Sequence, residues 1–167
     1  DKGINSNMIA RNFAESLGGL SYVINCPAVL ESAQNKKLLE KDSNINELFK
    51  LSEKINIAIL ATSDIGEESS LYKFNYYSKE DFDYLRSLGV VGVVNLGFID
   101  ISGKPVKNIF DDRSIALSLA KLRNIKNVIL IVTGIRKKDV TRAVLKNKMV
   151  SVFITDEITA QAILKDS

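Results

Sequence analysis

Apolar positions recur along the chain at two spacings, and the two meet most clearly between residues 127 and 165. Asn127-Val-Ile-Leu-Ile-Val-Thr133 is an apolar, β-branched run of strand length. Gly134-Ile-Arg-Lys-Lys138, an amphipathic run, Val150-Ser-Val-Phe-Ile154 and Thr155-Asp-Glu157 follow without a gap. Unbroken runs of this kind predict strands covered on both faces, as in parallel sheets, with the intervening helix as the crossover. Ligands of open α/β sheets bind outside the carboxyl ends of the strands, where loops run into helix N-termini. Residues 133–138 and 155–157 both fall at such ends.

The rest of the chain carries the same two periods. Ile9, Phe13 and Leu17 stand four apart with Ala10 and Ala14 beside them, which predicts a helix over residues 4–17 ended by Gly18-Gly19. A short strand is expected over 20–25, helices over 31–39 and 44–54, and a strand over 55–62. Residues 63–77 read as a long irregular stretch that ends in an aromatic group, Tyr72, Phe74, Tyr76 and Tyr77, expected in the core, at an interface or on a lid. Ser78 with Asp81 resembles a capping box ahead of a helix carrying Phe82, Leu85 and Leu88, and Gly89 follows as its C-terminal stop. A strand over 90–96, a hairpin over 98–106 turning at Ser102-Gly103, a helix over 114–122 and a last helix over 157–165 complete the pattern.

Composition narrows the class. A chain of 167 residues, 46% hydrophobic and 26% charged, fits one globular domain. The net charge of +3 comes from 23 basic and 20 acidic residues that are dispersed, so the chain itself offers little basis for nucleic-acid binding. A single cysteine, Cys26, permits no internal disulfide, which fits a reducing cytoplasm, and its position after a predicted strand reads as a small buried apolar residue. No apolar run reaches spanning length and no signal-peptide pattern is present, so a soluble, cytoplasmic protein without membrane contact is expected. The chain opens at Asp1 directly in helical pattern, which reads as an excised fragment.

Taken in order, Asn5-Ser-Asn-Met-Ile-Ala10, Cys26-Pro-Ala28, Gly89-Val-Val-Gly92, Phe98-Ile-Asp-Ile-Ser-Gly103, Asp112-Arg113, Gly134 with its downstream lysines, and Thr155-Asp-Glu157 resemble the effector-binding, or sugar-binding, domain of the SorC family of bacterial transcriptional regulators. The resemblance covers nearly the whole chain. It implies an α/β fold, a Rossmann-like three-layer sandwich with a mostly parallel sheet like that of the sugar-phosphate isomerase and CoA-transferase group, plus a small antiparallel hairpin. It also implies a single effector-binding domain over residues 1–167, truncated at its N-terminus. A phosphorylated sugar or similar metabolite is then the ligand, a homo-oligomer (dimer or tetramer) the working form, and no cofactor is called for. Operator DNA would be bound only through an N-terminal helix-turn-helix absent from this sequence. Two strand ends depart from the family pattern: Val93 stands where the family usually carries an acidic residue, and Ala61-Thr62-Ser63 where it usually has Gly-Ile-Gly.

Candidate ligand residues are weighed against plainer roles. Lys137 or Lys138 matches the family's ligand lysine, and an ammonium suits phosphate, whereas a cation at a helix start is otherwise unfavourable. Gly134 shapes the same loop. Asn5 and Asn7 match a Gln/Asn-x-Asn position at the head of the first helix, where amides can meet sugar hydroxyls or simply cap. Asp112 and Arg113 form either a pair beside the pocket or a capped helix start. Asp156 reaches the same rim as Gly134 yet is also ordinary cap chemistry, and Asn95 is a polar candidate on the strand of Val93. An isomerase or deaminase remains the alternative class, with Asp112 or Asp156 as its base in a chain without histidine. A degenerate oligomerisation module is the third.

Overall fold

The computed structural model describes residues 6–165. Its elements, in order, are α1 (Ser6–Ser16), α2 (Ala33–Lys41), α3 (Ser43–Ser52), β1 (Ile57–Leu60), β2 (Thr62–Ser63), α4 (Ser70–Lys73), α5 (Lys79–Ser87), β3 (Val90–Val94), β4 (Gly97–Asp100), α6 (Leu119–Arg123), β5 (Asn127–Ile131), α7 (Lys138–Lys146), β6 (Val152–Ile154) and α8 (Glu157–Lys165), with 3-10 turns at Asp111–Arg113 and Ile135–Lys137. They form a mixed α/β architecture with two three-stranded sheets: a parallel one ordered β1-β5-β6 and an antiparallel one ordered β2-β3-β4.

The two sheets are joined by one strand-like run. The expected strand over 55–62 divides at exposed Ala61. Up to Leu60 the chain pairs with β5, and from Thr62 it pairs with β3. β3 and β4 meet at Asn95-Leu96, both at positive φ (47° and 63°), so the tight turn of this sheet falls before the Ser102-Gly103 turn expected from sequence. That second turn also forms, with Asp100 Oδ1 accepting from the backbone N–H groups of Ser102 and Lys104 and from the Ser102 hydroxyl. Beyond it, pairing is limited to one bridge between Ile99 and Pro105.

α7 sits between the two halves because its sequence places Val140, Thr141, Ala143 and Val144 on one buried face. The parallel sheet presents Ala58, Val128 and Leu130 to a core shared with Val140, Ala143 and Val144. A second core is aromatic: Tyr77 meets Phe98 and Phe110 edge-on, with ring centroids at 5.5 and 5.1 Å, and Phe82 and Leu85 of α5 close it. Tyr77, in the expected aromatic group, therefore belongs to the core, while Phe74 is exposed. Val93 is buried in this same cluster.

Several expectations are corrected. Residues 20–25 form no strand, and Leu20 and Tyr22 are exposed: nothing described lies alongside to complete a ladder. The helix expected over 114–122 is confined to Leu119–Arg123, because the preceding chain is drawn out to pair with residues 28–30. The Leu30 and Ile115 amides donate to the carbonyls of Arg113 and Ala28, and Ser118 caps the shortened helix. Cys26 is half-buried rather than buried. Coverage of the parallel sheet on both faces is not found among the described residues. Ile57, Ile59, Ile131, Val152 and Ile154 are all exposed, and the register aligns Ile59 with Ile129 and Val152, and Ile131 with Ile154, on one open apolar face. Met8, Ile9, Phe13 and Leu17 are exposed as well.

Candidate functional site

β1, β5 and β6 run in one direction, so the loops that follow them open at one edge of the sheet. After β5 the chain turns at Gly134, whose φ of 103° lies in the region that favours glycine. The Gly134 amide donates to Thr159 Oγ1 at 2.8 Å and to Asp156 Oδ2 at 3.3 Å. The Thr159 hydroxyl donates in turn to Asp156 Oδ2 at 2.6 Å, and the Thr159 amide to Oδ1 at 2.8 Å. Asp156 thus caps α8 while the same cluster ties the loop after β6 to the loop after β5. These donors, the Thr159 hydroxyl foremost, hold the Asp156 carboxyl below its ordinary range.

The chain enters α7 through the 3-10 turn, closed by the Lys137 amide on the Gly134 carbonyl at 3.0 Å. The Lys137 carbonyl accepts from buried Thr141 Oγ1 at 2.7 Å, and no side chain caps α7. Lys137 and Lys138 are half-buried at this start. Thr133, Gly134, Arg136, Lys137, Asp156 and Thr159 border an open cavity of about 470 Å³. From the loop after β2, Glu68 reaches Lys73 Nζ at 2.6 Å and Arg136 Nη1 at 3.9 Å. Its carboxyl is held below the usual range, mainly by the Lys73 hydrogen bond. Three loops are therefore linked around the edge.

Of the expected site residues, the structure gathers Gly134, Lys137 and Asp156 at this cavity, with Lys138 next in the chain. Asn95 lies elsewhere. It borders a separate cavity of about 350 Å³ beside residues 114–120, and its amide donates to the Leu117 carbonyl at 2.9 Å. Asp112 is exposed, and among the described residues no ion pair joins it to Arg113, whose guanidinium stands 5.0 Å from the Phe110 ring centroid. Asp111 accepts from the Asn108 backbone and side-chain amides, and no side chain caps the 3-10 turn that it opens. Asn7 is exposed in the first turn of α1, and Asn5 lies outside the described residues. Sequence reasoning passed over Thr159, although Asp156-x-x-Thr159 is a legible cap spacing. It also passed over Asp64, and it met Thr62 only as a departure from the family pattern and Thr155 only as cap chemistry; each has a buried side-chain oxygen that finds no hydrogen-bond partner among the described residues. Among the described residues, no group of three His, Cys, Asp or Glu side chains could hold a metal ion.

The sequence matches the family described as "Putative sugar-binding domain" over residues 1–165. The chain belongs to the SorC-type sugar-binding domain family. Family members similar to it include the deoxyribonucleoside regulator of Bacillus subtilis (strain 168), 29% identical over 92% of this chain and 49% of the relative. An uncharacterized transcriptional regulator of Escherichia coli (strain K12) is 31% identical over 90% of this chain and 46% of the relative. The chain thus spans about half the length of these relatives. A solved DeoR family transcriptional regulator from Listeria monocytogenes superposes with a TM-score of 0.89 at 28% identity, covering 95% of this chain and 64% of that one. The fold class and the family read from sequence both hold, and the sugar-binding domain described here is of the kind carried by transcriptional regulators.

Proposed function

We propose that this sugar-binding domain senses a phosphorylated sugar at the carboxyl edge of its parallel sheet. The observation that carries the reading is the pairing of Lys137 and Lys138 with the uncapped start of α7 beside Gly134, on the rim of the 470 Å³ cavity. A helix start offers free N–H groups and a partial positive charge, and it disfavours lysine unless an anion is shared there. The name of the B. subtilis relative refers to deoxyribonucleosides, which is consistent with a sugar-containing ligand. Ligand binding then shifts the oligomeric state and the affinity of the regulator for operator DNA, the DNA being held by another domain.

A binding rather than catalytic role is supported by the names of the relatives, which are regulators. It is also supported by Asp156, whose two carboxylate oxygens are engaged by Thr159 and Gly134 and are poorly placed to act as a general base. No helix among the described residues is long and apolar enough to cross a membrane. Calorimetric titration with pentose and hexose phosphates, and with the matching neutral sugars, tests the proposal. The double substitution Lys137→Ala, Lys138→Ala should weaken phosphorylated ligands at least tenfold while changing neutral sugars little. Equal loss for both classes would contradict the phosphate assignment, and turnover of any sugar phosphate would favour the enzyme reading.

A further inference from the structure

The tight turn between β3 and β4 holds Asn95 and Leu96 at positive φ. A two-residue hairpin turn of this kind favours glycine at its second position, so a leucine there is strained and is retained where the surrounding structure uses its side chain. Leu96 is half-buried: it packs on the aromatic core and borders the 350 Å³ cavity beside residues 114–120. Phe98, Val106, Leu117 and Leu119 extend the apolar wall of that cavity. A second cavity of about 350 Å³ adjoins it and shares Lys36, Ala116, Leu117 and Ser118, so the two form one groove along the chain that leads into α6. No residue that borders the cavity at Gly134 borders either of these. Apolar walls with a few polar groups, at volumes of about 300–1,000 Å³, are the usual make-up of a small-molecule site.

The polar groups of the first cavity are mostly spoken for. Asn95 donates to the Leu117 carbonyl, Ser114 donates to the Phe110 carbonyl, Ser118 accepts from the Lys121 amide, and both oxygens of Asp111 accept from Asn108. Lys36 of α2 and Lys107 remain, and among the described residues neither ammonium has an ion pair or a hydrogen bond. Lys36 is half-buried and borders both cavities. We infer that this groove is a second ligand site, for a small amphipathic carboxylic acid whose apolar body lies on Leu96, Phe98 and Leu117 and whose carboxylate pairs with Lys36 and Lys107.

The chemistry selects this class over its neighbours. A sugar would bury hydroxyls against groups already engaged, which costs free energy for each one left unpaired. A plain hydrocarbon would gain the wall and leave both ammonium groups unmatched. An ionised carboxylate only accepts hydrogen bonds and an ammonium only donates them, so an acid with a short aliphatic or aromatic body meets both features at once. The site stands apart from the sugar-phosphate reading and does not depend on it. The test is a titration of the ¹⁵N-labelled full chain with hexanoate and phenylacetate, with their neutral amides hexanamide and phenylacetamide, and with acetate, followed by ¹H–¹⁵N correlation spectra.

At least one of the two acids should move the amide signals of residues 95–98 and 114–119 while leaving those of 133–138 in place, and acetate, which lacks the apolar body, should not. The acid should bind about 3–10-fold more tightly than its amide, the gain of two partly solvated ion pairs. The double substitution Lys36→Gln, Lys107→Gln, at residues whose ammonium groups hold no fold contact, should bring the acid down to the affinity of its amide and leave the amide unchanged. Absence of any shift with both acids at about 10 mM, where even a millimolar site would be mostly filled, would overturn the inference. So would shifts centred on 133–138, which would place the acids at the anion site, or equal affinity for acid and amide in the parent chain, which would remove the role of the lysines.

Discussion

Gly92 offers a quantitative test of how α7 is positioned. It lies in β3, where the pairing with β4 slips register, and its missing side chain is what lets the helix approach. A methyl added there would stand 2.4 Å from Val140 Cγ2, 2.5 Å from Val140 Cβ and 2.7 Å from the Ser63 carbonyl oxygen. Carbon atoms in contact settle at about 3.5–4.0 Å, so roughly 1 Å must be opened between strand and helix. Overpacking of this kind costs about 1–3 kcal/mol, and replacing glycine returns about 0.4–1 kcal/mol by restricting the unfolded chain. Gly92→Ala should therefore destabilise by about 1–2 kcal/mol. In urea denaturation that appears as a midpoint lowered by about 0.5–1 M at unchanged slope, for a slope of about 2 kcal/mol/M. Because the Val140 Cβ itself blocks the space, Val140→Ala should give no rescue. A loss below about 0.5 kcal/mol, or full rescue by Val140→Ala, would refute the reasoning, the second by showing that a single side-chain methyl and not the helix body bears the clash.

Three further outcomes follow from burial, capping and charge. Leu130→Ala, at a fully buried position, should cost about 2–5 kcal/mol in the same assay, whereas Ile59→Ala on the open face, where Ile59 is 50% exposed, should cost under about 1 kcal/mol. Ser78→Ala removes the acceptor of the Asp81 amide at 3.1 Å and half of a complete capping box, so α5 should lose about 1 kcal/mol, read as a lowered urea midpoint. Asp156 has its pKa depressed in the folded state, so its contribution is present above the unfolded value near ~3.9 and is lost as pH falls through the folded one. The difference in melting temperature between the parent and Asp156→Asn should accordingly be flat from about pH 5 to 8 and shrink below about pH 4.

Local chemistry made much of this fold legible. Runs such as 127–131 and the capping pair Ser78/Asp81 became β5 and α5, because strand propensity and helix starts are decided by neighbours in sequence. What local pattern could not show was which sheet a strand joins. Residues 57–63 look continuous in sequence, yet the pairing partner changes at Ala61 from β5 to β3, and only tertiary register decides that. Residues 114–118 depart from the helix for a similar reason: the spacing of Ile115 with Leu119 and Leu122 is helical, but pairing with residues 28–30 overrides it before Leu119.

The same distinction runs through the candidate site and its surroundings. Gly134, the lysines and Asp156 stand out because loop, helix start and cap are contiguous in the chain. Thr62 and Asp64 are separated from them by tens of residues, and Thr155, though next to Asp156, reads in the chain only as part of a cap. Their distinction is a buried oxygen without a hydrogen-bond partner among the described residues, a property of packing alone. Val93 sharpens the point, since the position where an acidic residue was expected is packed against the aromatic core and pairs across the ladder with Ser63. A carboxylate at 93 would be buried among aromatic rings, whereas Asp64 lies one residue beyond the Ser63 pairing, where the chain leaves the sheet for the loop that Glu68 ties to Arg136. Acidity at this edge is therefore carried by the loop and not by β3, and a loop can be changed with less disturbance to the core than a strand.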